Sequence, residues 1–413
     1  MKIVSFKNLN VYKNILKNDI NNREINVYKI TDCNMTGINL YYPNTLIYSN
    51  NRLILPLLEK TMSLNMGTIY EKNNMEFNNV DNIISLKVIV INYEPLFFFI
   101  YNTDNYFHYI YDTLPYLISY LELKKEIPNL KLLMQYPNEQ KNSMYNFVLE
   151  FLEILNINKK DIVMVNDYTI YKEIYISTSY THDFDSNLPP RNEIYDLYQL
   201  IVKNVKNSDK FYNTPKKIYV SRRTWLHNDF SNIGTNYTTR RRLVNEDELV
   251  EKLTLKGYQE VFTEKLSTIE KILYFANATH VVGAIGGGIS NVLFSPKDTK
   301  LEALVSPTFL DVNKRFKYSL DIVNVNYNFN SKHVEESEFK TYMRVKSKDN
   351  KIVGEIEKIV NNKKLLLSYT DGSNTGWNAQ NNYKQIELNL DDVIKLDNGL
   401  NSPWIIYDVE LIQ

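Results

Sequence analysis

A single cysteine, Cys33, is all the thiol chemistry that this 413-residue sequence carries. No intramolecular disulfide can form, and a cysteine-based zinc site is excluded. An excess of charge of either sign is also lacking. The 48 Lys and Arg residues balance 48 Asp and Glu residues, which excludes a uniformly basic nucleic-acid binder and leaves room only for a local basic patch. Long apolar runs are missing too. The opening residues, MKIVSFKNLNVYKN, hold no apolar core of signal-peptide length. The greasiest stretch, 83–110, is interrupted by Lys87, Asn92, Glu94, Pro95 and Asp104, too often to cross a bilayer. There are no repeats of solenoid period. These absences lead us to expect a soluble, cytoplasmic protein with no membrane span and no nucleic-acid partner.

What is present fits a globular chain of two or three domains, with 44% hydrophobic and 23% charged residues. Residues 1–80 alternate short apolar runs with Asn-rich turns and read as irregular β structure. From about 85 the pattern becomes α/β. Strands are expected at 87–92, 131–136, 161–165 and 173–178, with helices at 107–125, 139–155 and 191–206. The polar stretch 208–217, containing Pro215, reads as a linker. A second α/β block follows, with strands at 217–222, 257–262, 280–284 and 300–306. Asn245 with Glu248, and Ser267 with Glu270, are candidate helix starts. Beyond 330 the alternation stops, and the tail reads as strands and turns.

Three constellations could carry chemistry. The first is VVGAIGGGISNVLFSP at 281–296, in which a buried strand runs through Gly283 into Gly286, Gly287 and Gly288 and then a helix near Ser290. Such a turn can bring backbone N–H groups to a phosphate; the plain alternative is a tight strand-to-helix turn. It differs from a dinucleotide fingerprint because no acidic residue closes a strand about 20 residues later. The second is Arg222 and Arg223 at a strand end, with Arg240, Arg241 and Arg242 before a helix. Arginine forks suit a diphosphate, although Glu246, Asp247 and Glu248 could equally pair with them on a solvated face. The third is His108 and Asp112, four apart on one helix face, a pair able to deprotonate a hydroxyl. The alternative there is an inert, hydrogen-bonded histidine. In THDFDSN, Asp183 and Asp185 beside His182 could share a divalent cation with a phosphate; the plain alternative, which the composition favours, is an Asx turn. His227, His280 and His333 show no ligand spacing, and Trp377 and Trp404 read as core residues or sugar-stacking platforms.

Taken in order, these segments resemble glycosyltransferase family 61, which includes plant xylosyl- and arabinosyltransferases and animal O-linked N-acetylglucosaminyltransferases. The matching residues are Asn105, His108 and Asp112; Ser221-Arg222; Arg242 through Asn245-Glu246; Gly257-Tyr258; Ser267 with Glu270; and Gly283 through Pro296, with Asn291 and Phe294. The loop histidine of the family is Ile285 here, and its alanine is Gly287. If that histidine contacts donor phosphate, the contact must here come from other groups.

The resemblance implies a GT-B-like pair of Rossmann-like domains and an inverting transfer from a nucleotide sugar, usually a UDP-sugar, to a glycan or glycoprotein acceptor. The resemblance covers about half the chain and includes neither residues 1–80 nor the tail; with the pattern along the chain it gives an acceptor-side domain at 1–207 and a donor-side domain at 216–330, and the switch to strands and turns alone marks an all-β module at 331–413. His108 or Asp112 would be the base. Ser221, Arg222, Arg242, Asn245, Glu246, Gly283, Gly286, Gly287, Gly288, Ser290 and Asn291 would line the donor site. No cofactor or resident metal is required, although Mn or Mg could assist the diphosphate. The competing expectation is a degenerate scaffold that binds glycan or protein.

Overall fold

The computed structural model describes residues 2–5, 9–16, 24–36, 46–49, 52–55, 90–99, 105–135, 144–166, 169–181, 189–207, 213–223, 241–307, 309, 314–334, 339, 344–361, 363–369, 384–395 and 403–407. Its described strands form two large α/β sheets, a two-stranded ribbon and a small antiparallel sheet.

The first sheet joins β1 (Lys2–Ser5), β2 (Val11–Leu16), β3 (Ile25–Thr36), β4 (Leu46–Ser49), β5 (Arg52–Leu55), β6 (Val90–Phe98), β7 (Lys131–Met134), β8 (Ile162–Met164) and β9 (Thr169–Ser177). Its order is β1-β5-β4-β3-β9-β6-β7-β8, with β2 on β3. Strands β9, β6, β7 and β8 run parallel. Helices α1 (Tyr116–Lys124) and α2 (Asn146–Ile154) make the crossovers, and α3 (Glu193–Lys206) follows β9. The chain winds outward through β6, β7 and β8, then returns to place β9 on the other side of β6. The order therefore reverses between β6 and β9, where an open α/β sheet leaves a crevice at the strand carboxyl ends.

The second sheet is parallel throughout, in the order β11-β10-β12-β13-β14. Its strands are β10 (Lys217–Val220), β11 (Gln259–Val261), β12 (His280–Ala284), β13 (Lys300–Leu304) and β14 (Asn324–Asn328). Helices α4 (Glu246–Leu255), α5 (Thr268–Asn277) and α6 (Lys314–Leu320) cross between them. The reversal lies between β10 and β12. Strand β12 is buried along almost its whole length, as the run HVVGA requires of an interior parallel strand. Edge strand β14 (NVNYN) was not expected from the sequence, because an edge strand needs no continuous apolar run. Asn326 and Asn328 instead bond Glu302 on β13.

One apolar core is continuous from Ile25 in β3 to Val323 beside β14, so both sheets share it. Phe294 carries it across, stacking on Phe151 of α2 and meeting Tyr198 of α3 edge-on. A second cluster, on the α4 side of the second sheet, joins Tyr219, Leu249, Leu253 and Val282 to Trp404 and Ile406. Those last two belong to β21 (Trp404–Ile406), which pairs with β15 (Ser331–His333) as a ribbon. The indole N–H of Trp404 donates to Arg241 O at 2.9 Å, and Asn245 exchanges two bonds with the backbone of Ile406. The cap expected of Asn245 is therefore not made: it stands at the start of α4, but its side chain holds β21. The capping box of Ser267 and Glu270 at α5 is formed.

Between the ribbon strands lies an antiparallel sheet of β16 (Arg344–Ser347), β17 (Val353–Val360), β18 (Lys364–Tyr369), β19 (Lys384–Asn389) and β20 (Val393–Lys395), ordered β19-β18-β17-β16-β20. It encloses its own small core of Val345, Ile356, Leu365, Leu367 and Val393. No described helix is long and apolar enough to cross a membrane.

Candidate functional site

Downstream of β6, the Asn105 side chain accepts from the His108 N–H at 3.3 Å and starts a single helical turn, Tyr106–His108. Pro115 lies ahead and has no N–H to continue a regular ladder. Over Tyr109–Thr113 the turn widens to π geometry, and Leu114 N–H bonds Tyr109 O at 2.8 Å. The widening releases Ile110 O, which Tyr198 Oη takes at 2.8 Å. Such bulges concentrate at functional sites.

Inside this turn His108 Nδ1 and Asp112 Oδ2 lie 2.6 Å apart, both side chains buried. Burial holds the imidazole below its ordinary pKa, although Asp112 pulls the other way; Arg315 adds to the lowering. The same Oδ2 accepts from Arg315 Nη1 of α6 at 3.3 Å. Next to this contact Phe107 stacks on Phe316, with ring centroids 3.8 Å apart.

The second set of groups gathers at the carboxyl ends of β11, β10 and β12. Glu246, the first residue of α4, is buried, and its Oε1 accepts from Tyr219 Oη and from Arg222 N–H, both at 2.7 Å, and from Ser221 Oγ at 3.4 Å. Its Oε2 is buried with no hydrogen bond to any described residue. Burial raises the Glu246 pKa, against the Arg222 N–H and the Tyr219 hydroxyl. The Arg222 side chain lies against the glycine turn: a Cβ on Gly286 would stand 2.8 Å from Nη1. Burial lowers the guanidinium pKa, opposed by Glu246, Tyr219 and Glu264.

The glycines differ in what they permit. A Cβ on Gly288 would meet Thr263 Oγ1 at 2.7 Å, and one on Gly283 would meet Val220 Cβ at 3.0 Å, whereas Gly287 has nothing within 4 Å. The following helix is a 3₁₀ segment of six residues, Ile289–Phe294. Ser290 Oγ bonds Gly286 O at 3.0 Å, and Asn291 Nδ2 bonds Gly288 O at 2.8 Å. Both side chains thus brace the turn. Ile285 is buried in the shared core.

The two sets meet across the core. Tyr106 Oη donates to Asn291 Oδ1 at 2.5 Å, and buried Lys271 of α5 sits 4.6 Å from the centre of the Tyr106 ring. Burial brings the Lys271 ammonium down to about 8.

Of the other sequence candidates, Arg223 and Arg241 are engaged by neighbouring side chains. Arg223 grips Glu260 with two nitrogens, at 2.9 and 2.5 Å, and Asp247 with a third at 2.7 Å. The guanidinium of Arg241 lies 4.2 Å from the Phe309 ring centre. The Arg242 side chain is exposed, and its carbonyl accepts from Trp404 N–H at 3.0 Å. His182, Asp183, Asp185, His227, Arg240 and Trp377 lie outside the described residues. Among the described residues no group of three or more His, Cys, Asp or Glu converges as a metal site. Sequence reasoning missed Arg315, Lys271, Glu264 and Tyr106. Arg315 sits in NKRFKYSL, a run indistinguishable by composition from a solvated helix face, and a lone Lys or Tyr on a helix gives no signal.

No curated protein matches the chain. Residues 106–301, from the His108 turn to β13, match the family model described as Glycosyltransferase 61.

Proposed function

We propose that the chain is an inverting glycosyltransferase that moves a sugar from a nucleotide-sugar donor, a UDP-sugar in the first instance, to a hydroxyl of a glycan or glycoprotein. One observation carries this beyond the family match: Arg222, the orphan acceptor of Glu246 and the glycine turn converge at the strand-order reversal of a fully parallel sheet. Ligands of open α/β sheets bind at such a place.

In this reading Arg222 and N–H groups of the Gly286–Gly288 turn hold the diphosphate and stabilise its charge as it departs. Glu246 Oε2 accepts from a donor hydroxyl, the ribose being the nearest chemistry to a nucleotide diphosphate. Ser221, Gly283, Ser290 and Asn291 shape the turn, and Asn245 fixes the start of α4. Arg242 reaches the donor from the exposed side. His108 accepts the proton of the acceptor hydroxyl as that oxygen displaces the diphosphate at the anomeric carbon, in one step, with inversion.

We assign residues 1–207 to the acceptor side and 216–330 to the donor side of a GT-B-like pair, with 331–413 as an added β module. Two strand-order reversals, one in each α/β sheet, support this division. No resident metal is needed; a divalent ion serving the reaction would arrive with the donor phosphates.

The test is a thermal-shift series with nucleotides and nucleotide sugars, since a ligand at 100 times its Kd stabilises by about 2.7 kcal/mol. Donor-dependent glycosyl transfer is then followed on the ligands that bind. A melting temperature indifferent to every nucleotide and nucleotide sugar sinks the proposal.

A further inference from the structure

We propose that Arg315 is a positioning residue for the base, completing from the second half of the molecule a buried His108–Asp112–Arg315 relay that begins in the first. The inference rests on the transfer reaction proposed above, in which His108 takes the acceptor proton.

The geometry is a chain of two contacts on one oxygen. Asp112 Oδ2 stands 2.6 Å from His108 Nδ1 and 3.3 Å from Arg315 Nη1. The Asp112 side chain is fully buried and that of Arg315 is 14% exposed. A carboxylate in such a place stays charged only where it is paired and hydrogen-bonded, and the guanidinium and the imidazole N–H against it both favour its ionised form. An ionised Asp112 can only accept, so neutral His108 must carry its proton on Nδ1 and its lone pair on Nε2. Asp112 then orients the base and does not act as one, which separates two residues that sequence spacing left equivalent.

The arrangement is built rather than incidental. Phe316 stacks on Phe107 beside it, fixing α6 against the π turn. Thr181, which follows β9, approaches the other carboxylate oxygen, with Oγ1 3.5 Å from Oδ1. Arg315 and Asp112 are 203 residues apart, and they come from connections in different sheets. The relay exists only while those sheets are docked.

The charge of Arg315 also offsets the pull of Asp112 on the imidazole and so favours neutral His108. Tyr111 on the same turn and Tyr198 on α3 face Asp112, with Tyr195 of α3 behind them. All three hydroxyls have pKa values raised by burial, so near neutral pH they stay uncharged, and among the described residues Asp112 and Arg315 are the charges that act on His108.

The test is a histidine side-chain ¹⁵N NMR titration of the full chain, comparing wild type, Arg315→Gln and Arg315→Lys, with His108→Gln to assign the resonance. We expect the neutral wild-type ring as the Nδ1–H tautomer. Arg315→Gln should shift the His108 titration to higher pH, and Arg315→Lys, which keeps the cation, should restore it. In the transfer assay Arg315→Gln should lose more turnover at pH 6 than at pH 8, with donor KM unchanged. A His108 titration that coincides in folded wild type and Arg315→Gln overturns the proposal. Should Arg315→Gln not fold, the wild-type tautomer decides: Nε2–H overturns the relay and Nδ1–H supports it. Absence of any transfer by the wild type defeats the proposed reaction but leaves the NMR result to stand or fall alone.

Discussion

Gly286 and Arg222 touch across the strand-order reversal of the second sheet: there is room for the guanidinium only because residue 286 has no Cβ, which would stand 2.8 Å from Nη1. A methyl group at 286 would meet the far end of a flexible side chain rather than backbone, so the fold can absorb it. Gly286→Ala should leave the chain folded, at an overpacking cost of about 1–3 kcal/mol or less, yet weaken UDP binding by roughly tenfold, about 1.4 kcal/mol. Gly287→Ala is the control, since nothing lies within 4 Å of its added Cβ. Calorimetric titration of both variants with UDP checks this; equal affinities would remove Arg222 from the donor site.

Arg222→Ala removes the cation itself. For a lost charged hydrogen bond we expect a cost of about 1.5–3 kcal/mol in nucleotide affinity. Arg223→Ala should leave that affinity near wild type, because its fork is engaged by Glu260 and Asp247. The two arginines adjoin in sequence and exchange roles if the result is reversed.

His108→Ala should leave donor affinity unchanged and lower turnover by about 10²–10⁴-fold. Asp112→Asn should lower turnover too, through loss of orientation. Steady-state kinetics at saturating donor distinguishes these losses from a binding defect. Turnover that survives in both variants would make the π turn purely structural.

The same histidine should leave a mark on stability. Its folded pKa lies below the ordinary value of about 6.5 because the ring is buried. As pH falls through that ordinary value the unfolded chain takes up a proton and the folded chain does not, so stability drops on the acid side of about 6.5 and is unaffected above it. His108→Gln should flatten this slope between about pH 7 and 5.5 in denaturant titrations; an unchanged slope would show that the ring is not held neutral.

Truncation after residue 330 should destabilise the second sheet, since it removes Trp404 and Ile406 from the cluster on its α4 side. A buried tryptophan truncated to alanine typically costs about 3–5 kcal/mol, and Trp404→Ala should approach this in thermal unfolding. Excising 335–402 with a short linker, which keeps the ribbon, should be far milder. A truncated chain as stable as the full one would make the whole tail separable.

Much of the site's framework was legible in sequence because it is local. The capping box at 267–270, the apolar run of β12 and the four-residue spacing of His108 and Asp112 each depend on neighbours within one element. The ordered motifs from His108 to Pro296 carried the resemblance, and they fall within residues 106–301, which match the family model. Sequence could not choose among chemically equal residues. Arg222 and Arg223 differ only in which carboxylates the fold brings near. Asn245 gives up capping for a β-strand 161 residues away. Asp112 meets Arg315 only because two sheets dock through Phe294 and the stacked pair Phe107 and Phe316. Local propensity fixes which segments become strands and helices. The partner of a buried charge is set by long-range burial, because a charge withdrawn from water must be paired by whatever the tertiary fold delivers.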